Sequence, residues 1–175
     1  MKNTNEKYFL QESDRLYYRK VTNEDIEGWI PFFENNDRLH FLGIDSKKSN
    51  ETHASEWVEK QLVRYKTEGL GLLAVVDKSN GVLIGMCGII PRVINDKDEL
   101  EIGYSFKPES WGKGYATEAS RTMREFGMKN NMAKRFISII HKDNVDSMKV
   151  AIRNGMKPLF DYTYLGMEVI IHGTS

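Results

Sequence analysis

The chain has 175 residues, 40% hydrophobic and 11% aromatic, which is enough for one domain with a full core and predicts a single domain over 1–175. Its 25 basic and 25 acidic residues give a formal net charge of zero, which argues against DNA, RNA or an acidic membrane as a partner. Only one cysteine is present, Cys87, so an intrachain disulfide and a cysteine-based zinc cluster are excluded.

The chain carries no signal for export, membrane insertion or metal binding. Residues 1–15 are polar, without the apolar core of a signal peptide, and no window approaches the ~18 apolar residues of a membrane span. The four histidines lack metal-ligand spacing. We therefore predict a cytoplasmic protein without a metal.

The first third of the chain predicts one strand followed by two helices. Alternation over residues 15–21 favours a strand. Thr22 and Asp25, three residues apart, then precede an amphipathic pattern that Pro31 would kink. A second helix is predicted over 52–67, where apolar residues form one stripe.

The middle of the chain predicts three strands. Apolar runs at 72–76 and 82–90 are separated by a turn whose Asn80-Gly81 pair favours a hairpin. Alternation over 99–106 predicts a strand with a core face and a second face of chemical interest. The core face carries Leu100, Ile102, Tyr104 and Phe106, and the other carries Glu99, Glu101, Gly103 and Ser105.

The last third predicts a helix over 115–129, a strand over 135–141 parallel to the preceding one, a helix over 143–154 and a closing strand over 162–172. The order β-α-α-β-β-β-α-β-α-β is that of an α/β protein with a mixed sheet and helices on both sides.

A glycine-rich turn at 111–119, with the sequence WGKGYATEA, joins a strand to a helix and can present backbone N–H groups to a phosphate. It does not fit the dinucleotide fingerprint, which needs a small residue where Thr117 stands. Nor does it fit the Walker loop, because Gly114 rather than Ser or Thr follows Lys113. The turn predicts a ligand held through its diphosphate.

Residues 111–116 resemble the acyl-CoA loop of the GNAT N-acetyltransferases, [Q/R]-x-x-G-x-[G/A]. Two more matches follow the family's order: 100–104 resembles its central strand, and Asn144 to Ser147 with Asn154-Gly155-Met156 resembles its N-x-x-S…x-G-F ending. The likeness is greatest to the branch that acetylates ribosomal-protein N-termini (the RimJ/RimL type). It implies the GNAT acyl-CoA N-acyltransferase fold, a mixed α/β sheet whose central parallel strands splay apart around the pantetheine arm.

The resemblance also implies which residues bind acetyl-CoA. Two departures stand out, because Trp111 replaces Gln or Arg in the loop and Met156 replaces the usual Phe. Trp111 removes one polar contact to the diphosphate but leaves the backbone donors. The predicted cofactor-binding residues are Tyr104, Ser105, Phe106, Trp111, Gly112, Lys113, Gly114, Tyr115, Ala116, Asn144 and Ser147.

Three residues are candidates for the chemistry of acetyl transfer. Glu101 matches a frequent glutamate of the family, and a carboxylate ionised at neutral pH can take a proton from an ammonium directly or through water. Glu99, one pleat away, is the second candidate base. Ser147 matches the serine that would protonate the leaving thiolate, since the family's tyrosine position is Ala151 here. The alternatives are a solvated or ion-paired Glu101 and a Ser147 that caps a helix.

The resemblance implies acetyl transfer from acetyl-CoA to a primary amine by direct attack, without a covalent enzyme intermediate. A protein or peptide α-amino group is favoured, because its pKa near ~8 makes it easier to deprotonate than a lysine near ~10.4. A polyamine, an amino acid or an aminoglycoside remains open as acceptor. A non-catalytic acyl-CoA-binding module is the other hypothesis, and a homodimer is left open.

Overall fold

The computed structural model describes residues 6–45 and 47–175, which form one eight-stranded mixed sheet with helices on both faces. The order across the sheet is β1-β2-β3-β4-β5-β6-β8-β7, and every neighbouring pair is antiparallel except β5–β6. The strands are β1 (Leu10–Glu12), β2 (Leu16–Arg19), β3 (Gly71–Asp77), β4 (Leu83–Ile94), β5 (Lys97–Phe106), β6 (Ile137–His141), β7 (Lys157–Tyr164) and β8 (Met167–Gly173).

Besides the helical residues 6–8, α-helices and short 3-10 turns flank the sheet in the described part of the chain. The helices are α1 (Asp25–Trp29), α2 (Asn50–Thr67), α3 (Tyr115–Lys129) and α4 (Val145–Arg153), and the 3-10 turns are Ile30–Phe33, Leu39–Leu42 and Pro108–Ser110. The Ser49 hydroxyl caps α2 by accepting from the Thr52 N–H at 3.2 Å, which satisfies one of the free donors of the first turn. Within 6–45 and 47–175, no helix is both long and apolar enough to cross a membrane.

Each face of the sheet is covered by its own helices, because successive strand residues point to opposite sides. On one face, Leu73 of β3 packs in a core with Met123 of α3. On the other, Leu72 packs in a core with Val58 of α2. Both faces of the central strands are therefore buried, and a ligand can enter the sheet only where two strands separate.

The parallel strands β5 and β6 separate almost as soon as they meet. They pair at a single register position, Glu101 opposite Ile137. Next to it, the Ser138 hydroxyl donates to the Ile102 carbonyl at 2.9 Å. Beyond this point the strands splay, as the family resemblance implies.

Several sequence predictions need correction at the ends of the chain. The first strand is shorter than predicted and is preceded by β1, and the first helix ends at Trp29 because Pro31 opens a 3-10 turn. The predicted closing strand over 162–172 is wrong, since β7 and β8 form a hairpin across Leu165 and Gly166. Both turn residues have positive φ, 50° and 78°, as a tight hairpin requires.

Candidate functional site

A cavity of about 820 Å³ opens where β5 and β6 splay. Its walls come from both sides of the sheet, including α2, the end of β5, the turn before α3 and the first turn of α4. It is lined by all but one of the predicted cofactor-binding residues and by two of the three candidate catalytic residues.

The turn before α3 has the backbone geometry that its glycines allow. Gly112 and Gly114 have φ of 75° and 81°, and Gly114 is the N-cap of α3 without a capping side chain. Glu118, in the first helical turn, is held away from the helix end by the Arg15 N–H and Nε at 2.8 and 2.7 Å and by the Ser13 hydroxyl at 2.8 Å. The first N–H groups of α3 are thus presented to an anion in the cavity.

Trp111 is tied to the strand that precedes the turn. Its Nε1 donates to the Phe106 carbonyl at 2.8 Å, and the Arg38 guanidinium lies 3.8 Å from its ring centroid. Arg38 also pairs with Asp146 at the start of α4, with 2.7 Å between Nη2 and Oδ2. Arg38, which is distant in sequence, therefore lies over Trp111, the loop position where the family pattern has Gln or Arg.

Lys113 and Tyr115 occupy different environments within the turn. Lys113 is exposed and does not line the cavity, so it is the one predicted cofactor residue outside it. Tyr115 lines the cavity, donates to Asp77 Oδ2 at 3.2 Å and lies under the Arg15 guanidinium at 4.4 Å. The neighbouring Ala116 and, on β5, Ser105 and Phe106 also line the cavity.

Tyr104 and Ser147 meet in the cavity across β5 and α4. Their hydroxyl oxygens are 2.7 Å apart, and the Tyr104 hydroxyl is also 3.0 Å from the Ser147 carbonyl. The Asn144 Oδ1 caps α4 by accepting from the Ser147 N–H at 3.2 Å. Burial raises the pKa of Tyr104, so its hydroxyl keeps its proton well into the alkaline range. Ser147 is therefore in contact with a second hydroxyl that can donate a proton.

Glu101 is buried at the point where the strands separate, and it forms an ion pair. The Arg92 Nε on β4 donates to its Oε2 at 2.7 Å, and both side chains line the cavity. Although burial alone would lower the pKa of Arg92, the Glu101 carboxylate raises it. Glu101 is thus neither solvated nor free, which corrects one of the alternatives drawn from the sequence.

Glu99 lies outside this cavity. It points to a different, smaller depression, where Arg135 donates to both of its carboxylate oxygens from Nε at 3.1 Å. The sequence placed Glu99 beside Glu101 because they share a strand face, but the ion pairs direct the two carboxylates to separate partners. Glu99, the second candidate base, therefore does not share a pocket with Glu101.

Three cations near Glu101 were not identified from the sequence. Lys60 and Arg64 of α2 line the cavity together with Arg92. Their spacing of four residues places Lys60 and Arg64 on one side of the helix, which is the only signal the sequence offered. Arg92 lies beyond the end of the predicted strand, so no pattern marked it.

Cys87 is in the core and is not part of the site. Its relative exposure is 0%, and burial raises the pKa of its thiol, so a nucleophilic thiolate is disfavoured. In the described ranges, no three His, Cys, Asp or Glu side chains are grouped to hold a metal ion.

Residues 15–157 match the family described as the acetyltransferase (GNAT) domain. YkkB of Bacillus subtilis (strain 168), an uncharacterized protein, is 32% identical over 117 residues, which cover 67% of this chain and 66% of YkkB. The fold is similar to that of RimL, a ribosomal L7/L12 alpha-N-protein acetyltransferase, with a TM-score of 0.77, 16% identity and coverage of 94% of this chain and 92% of RimL. It is also similar to the microcin C7 self-immunity acetyltransferase MccE, solved with acetyl-CoA and AMP, with a TM-score of 0.74, 18% identity and 93% of both chains covered.

Proposed function

The chain belongs to the GNAT family of acetyl-CoA-dependent N-acetyltransferases, and from this premise we propose that it transfers the acetyl group to the α-amino group at a protein or peptide N-terminus. The observation that carries this proposal is one continuous cavity. It joins the uncapped start of α3, the Tyr104–Ser147 pair and the Glu101 carboxylate. A diphosphate, a thioester and an amine therefore each have a chemically suitable contact along one path.

The cofactor would lie along β5 with its diphosphate at the turn before α3. Gly112 and Gly114 leave room for the phosphates, and the helix N-terminus favours their negative charge. The pantetheine arm would lie in the splay and use main-chain groups that β5 and β6 leave unpaired. Trp111, fixed on the Phe106 carbonyl, would form part of the wall rather than a phosphate contact.

The reaction follows from the two polar clusters of the cavity. Glu101, directly or through a water, would take the proton of the ammonium, and the neutral amine would then attack the thioester carbonyl. As the tetrahedral intermediate collapses, the Ser147 hydroxyl would protonate the departing thiolate, with Tyr104 resupplying the proton through their 2.7 Å contact. The proton that the nitrogen loses as the amide forms would return through solvent to the Tyr104–Ser147 pair. The buried position of Cys87 supports direct attack over a thioester intermediate on the enzyme.

A carboxylate base deprotonates an α-amino acceptor more easily than a lysine acceptor. The α-amine's pKa of about 8 leaves a substantial neutral fraction at neutral pH, whereas a lysine near ~10.4 leaves very little. RimL, whose fold is similar, is an alpha-N-protein acetyltransferase and so acts on the same kind of acceptor. A cytoplasmic location, a homodimer and a single domain over 1–175 stay predictions from the sequence.

The proposal is tested by supplying acetyl-CoA with peptides whose N-terminus is either free or chemically blocked. We expect CoA release with the free peptide alone and an acetyl group on its α-amine by fragment mass spectrometry. A peptide with a blocked N-terminus and an internal lysine is the matched control. Modification of that lysine, at a rate equal to that of the free peptide, would contradict the proposed acceptor.

A further inference from the structure

The acceptor end of the cavity is strongly basic, although the whole chain has no net charge. Among the described residues, the lining of this cavity carries more positive than negative side chains. The positive residues are Arg38, Lys60, Arg64, Arg92, Lys149 and Arg153, and the negative ones are Glu101 and Asp146. The excess is thus a property of the cavity rather than of the composition.

Three of these cations lie near Glu101, and that single carboxylate cannot neutralise them all. Arg92 is paired with Glu101 at 2.7 Å. Arg64 donates from Nη1 to the amide oxygen of Gln61 at 3.3 Å, a neutral partner. Lys60 makes no ion pair with any residue of the described ranges. Glu68, which directly follows the end of α2, is exposed and does not line the cavity.

The cations repel one another, which a bound anion would relieve. Burial lowers the pKa of Arg64, and the positive charge of Arg92 lowers it further. Unpaired like charges in a partly desolvated site raise the local concentration of counter-charged ligands and strengthen their binding.

This basic group is too far from the turn before α3 to serve the cofactor's diphosphate. Phe106 follows Glu101 by five residue steps, a rise of about 17 Å along β5, and the turn before α3 lies beyond Phe106. Arg92 pairs with Glu101 at the other end of that path, where the amine would react, and Lys60 and Arg64 line the same cavity.

We infer that the acceptor is an anionic amine, whose own carboxylates lie close to the reacting amino group and bind Lys60 and Arg64. This inference rests on the proposed function and specifies its substrate class. Two sources supply such an acceptor: a peptide with acidic residues directly after its N-terminus, and a free acidic amino acid. Polyamines and aminoglycosides, which carry several positive charges, are disfavoured by the same lining.

The test compares acceptors that differ only in charge. Synthetic peptides beginning Ser-Asp-Glu and Ser-Lys-Arg, with identical remaining sequence, are assayed beside a neutral Ser-Gln-Gln peptide, free glutamate and spermidine. We expect kcat/KM at least tenfold higher for the acidic than for the basic peptide at low salt, and a smaller ratio at high salt. Faster turnover of free glutamate than of the acidic peptide would identify a free acidic amino acid, and not a peptide, as the acceptor.

Reversing the charges of the cavity lining tests the inference without relying on which peptide the wild-type enzyme prefers. Lys60→Glu with Arg64→Glu should lower the ratio of kcat/KM for the acidic peptide to kcat/KM for the basic peptide at least tenfold. Most of this change should be a higher kcat/KM for the basic peptide, while KM for acetyl-CoA stays unchanged. Lys60→Glu alone changes an exposed side chain and should move the ratio in the same direction if the double variant fails to fold. Lys66→Glu, which reverses an exposed charge on the same helix outside the cavity, is the matched control.

The outcomes separate the acceptor class from the reaction itself. Equal turnover of the acidic, neutral and basic peptides, or a charge reversal that changes only KM for acetyl-CoA, overturns the anionic acceptor and leaves α-amine acetylation standing. Failure to acetylate any amine, although acetyl-CoA binds, overturns the proposed function and this inference together.

Discussion

Glu101 has both a structural and a proposed chemical role, and the two can be separated with its partner Arg92. The side chains are 11% and 22% exposed, and their closest atoms are 2.7 Å apart. Breaking a fully buried ion pair costs about 3–5 kcal/mol, and partial hydration of Arg92 reduces this to about 2 kcal/mol. For a domain of this size, Glu101→Gln should therefore lower the melting temperature by about 4–8 °C.

The same variant should lower kcat by about 10²–10⁴-fold, which is the usual contribution of a positioned base. The affinity for acetyl-CoA should not change. The double variant Glu101→Gln with Arg92→Gln removes both members of the ion pair, so neither is left charged without its partner, and it should regain part of the stability but none of the turnover. Arg92→Gln alone is the control, because it removes the pair and keeps the carboxylate. Melting curves and initial rates of CoA release measure both effects, and recovery of kcat in the double variant would refute the role of Glu101 as base.

Three further predictions concern the loop, the proton donor and the core. Gly114→Glu places a negative charge beside the diphosphate and should lower the affinity for acetyl-CoA, measured by calorimetry, at least tenfold. Gly81→Glu is the control, because Gly81 also has positive φ but does not line the cavity, and it should leave the affinity unchanged. Equal affinities for both variants would contradict the loop assignment. Tyr104→Phe should lower kcat less than Ser147→Ala does. With a peptide acceptor that carries no carboxylates and so does not depend on Lys60, kcat/KM of the wild type should rise with pH through about 8 as the α-amine loses its proton. It should not decline up to pH 10, because burial raises the pKa of Tyr104 and keeps its proton in place, and a decline from pH 9 with this acceptor would argue against this donor. Tyr8→Phe should lower the free energy of unfolding by about 2–3 kcal/mol in urea melts, because the buried Tyr8 hydroxyl donates to one backbone carbonyl at 2.6 Å and accepts from a backbone N–H at 2.8 Å; a loss below about 0.5 kcal/mol would contradict it.

The elements predicted best are those whose signals are local. The bounds of α3 agree with the prediction of 115–129, because a glycine turn opens the helix and its apolar spacing is regular. The β3–β4 hairpin was marked by its Asn80-Gly81 pair in the same way. The Asn95-Asp96 turn between β4 and β5 has positive φ at both residues, 50° and 59°, but without a glycine its signal was too weak to recognise.

The site was predictable where a motif is contiguous and not where it depends on strand register. Apart from Lys113, the residues of the turn at 111–116 line one cavity together with Asn144 and Ser147, and their roles in cofactor binding stay predictions. The ion pairs of Glu99 and Glu101 depend on which residues of other strands and loops lie opposite them, which periodicity cannot give. For the same reason the sequence did not reveal that Arg38 lies over Trp111, since 73 positions separate them.

The most direct measurement of the central claim is the stoichiometry and position of acetyl transfer to an N-terminal peptide with the purified protein and acetyl-CoA. We expect one acetylated α-amine for each CoA thiol released, and no acetyl group on the enzyme after the reaction is quenched. Release of CoA without acetylated peptide, or an acetyl group covalently bound to the protein as an intermediate, would contradict direct transfer to an amine.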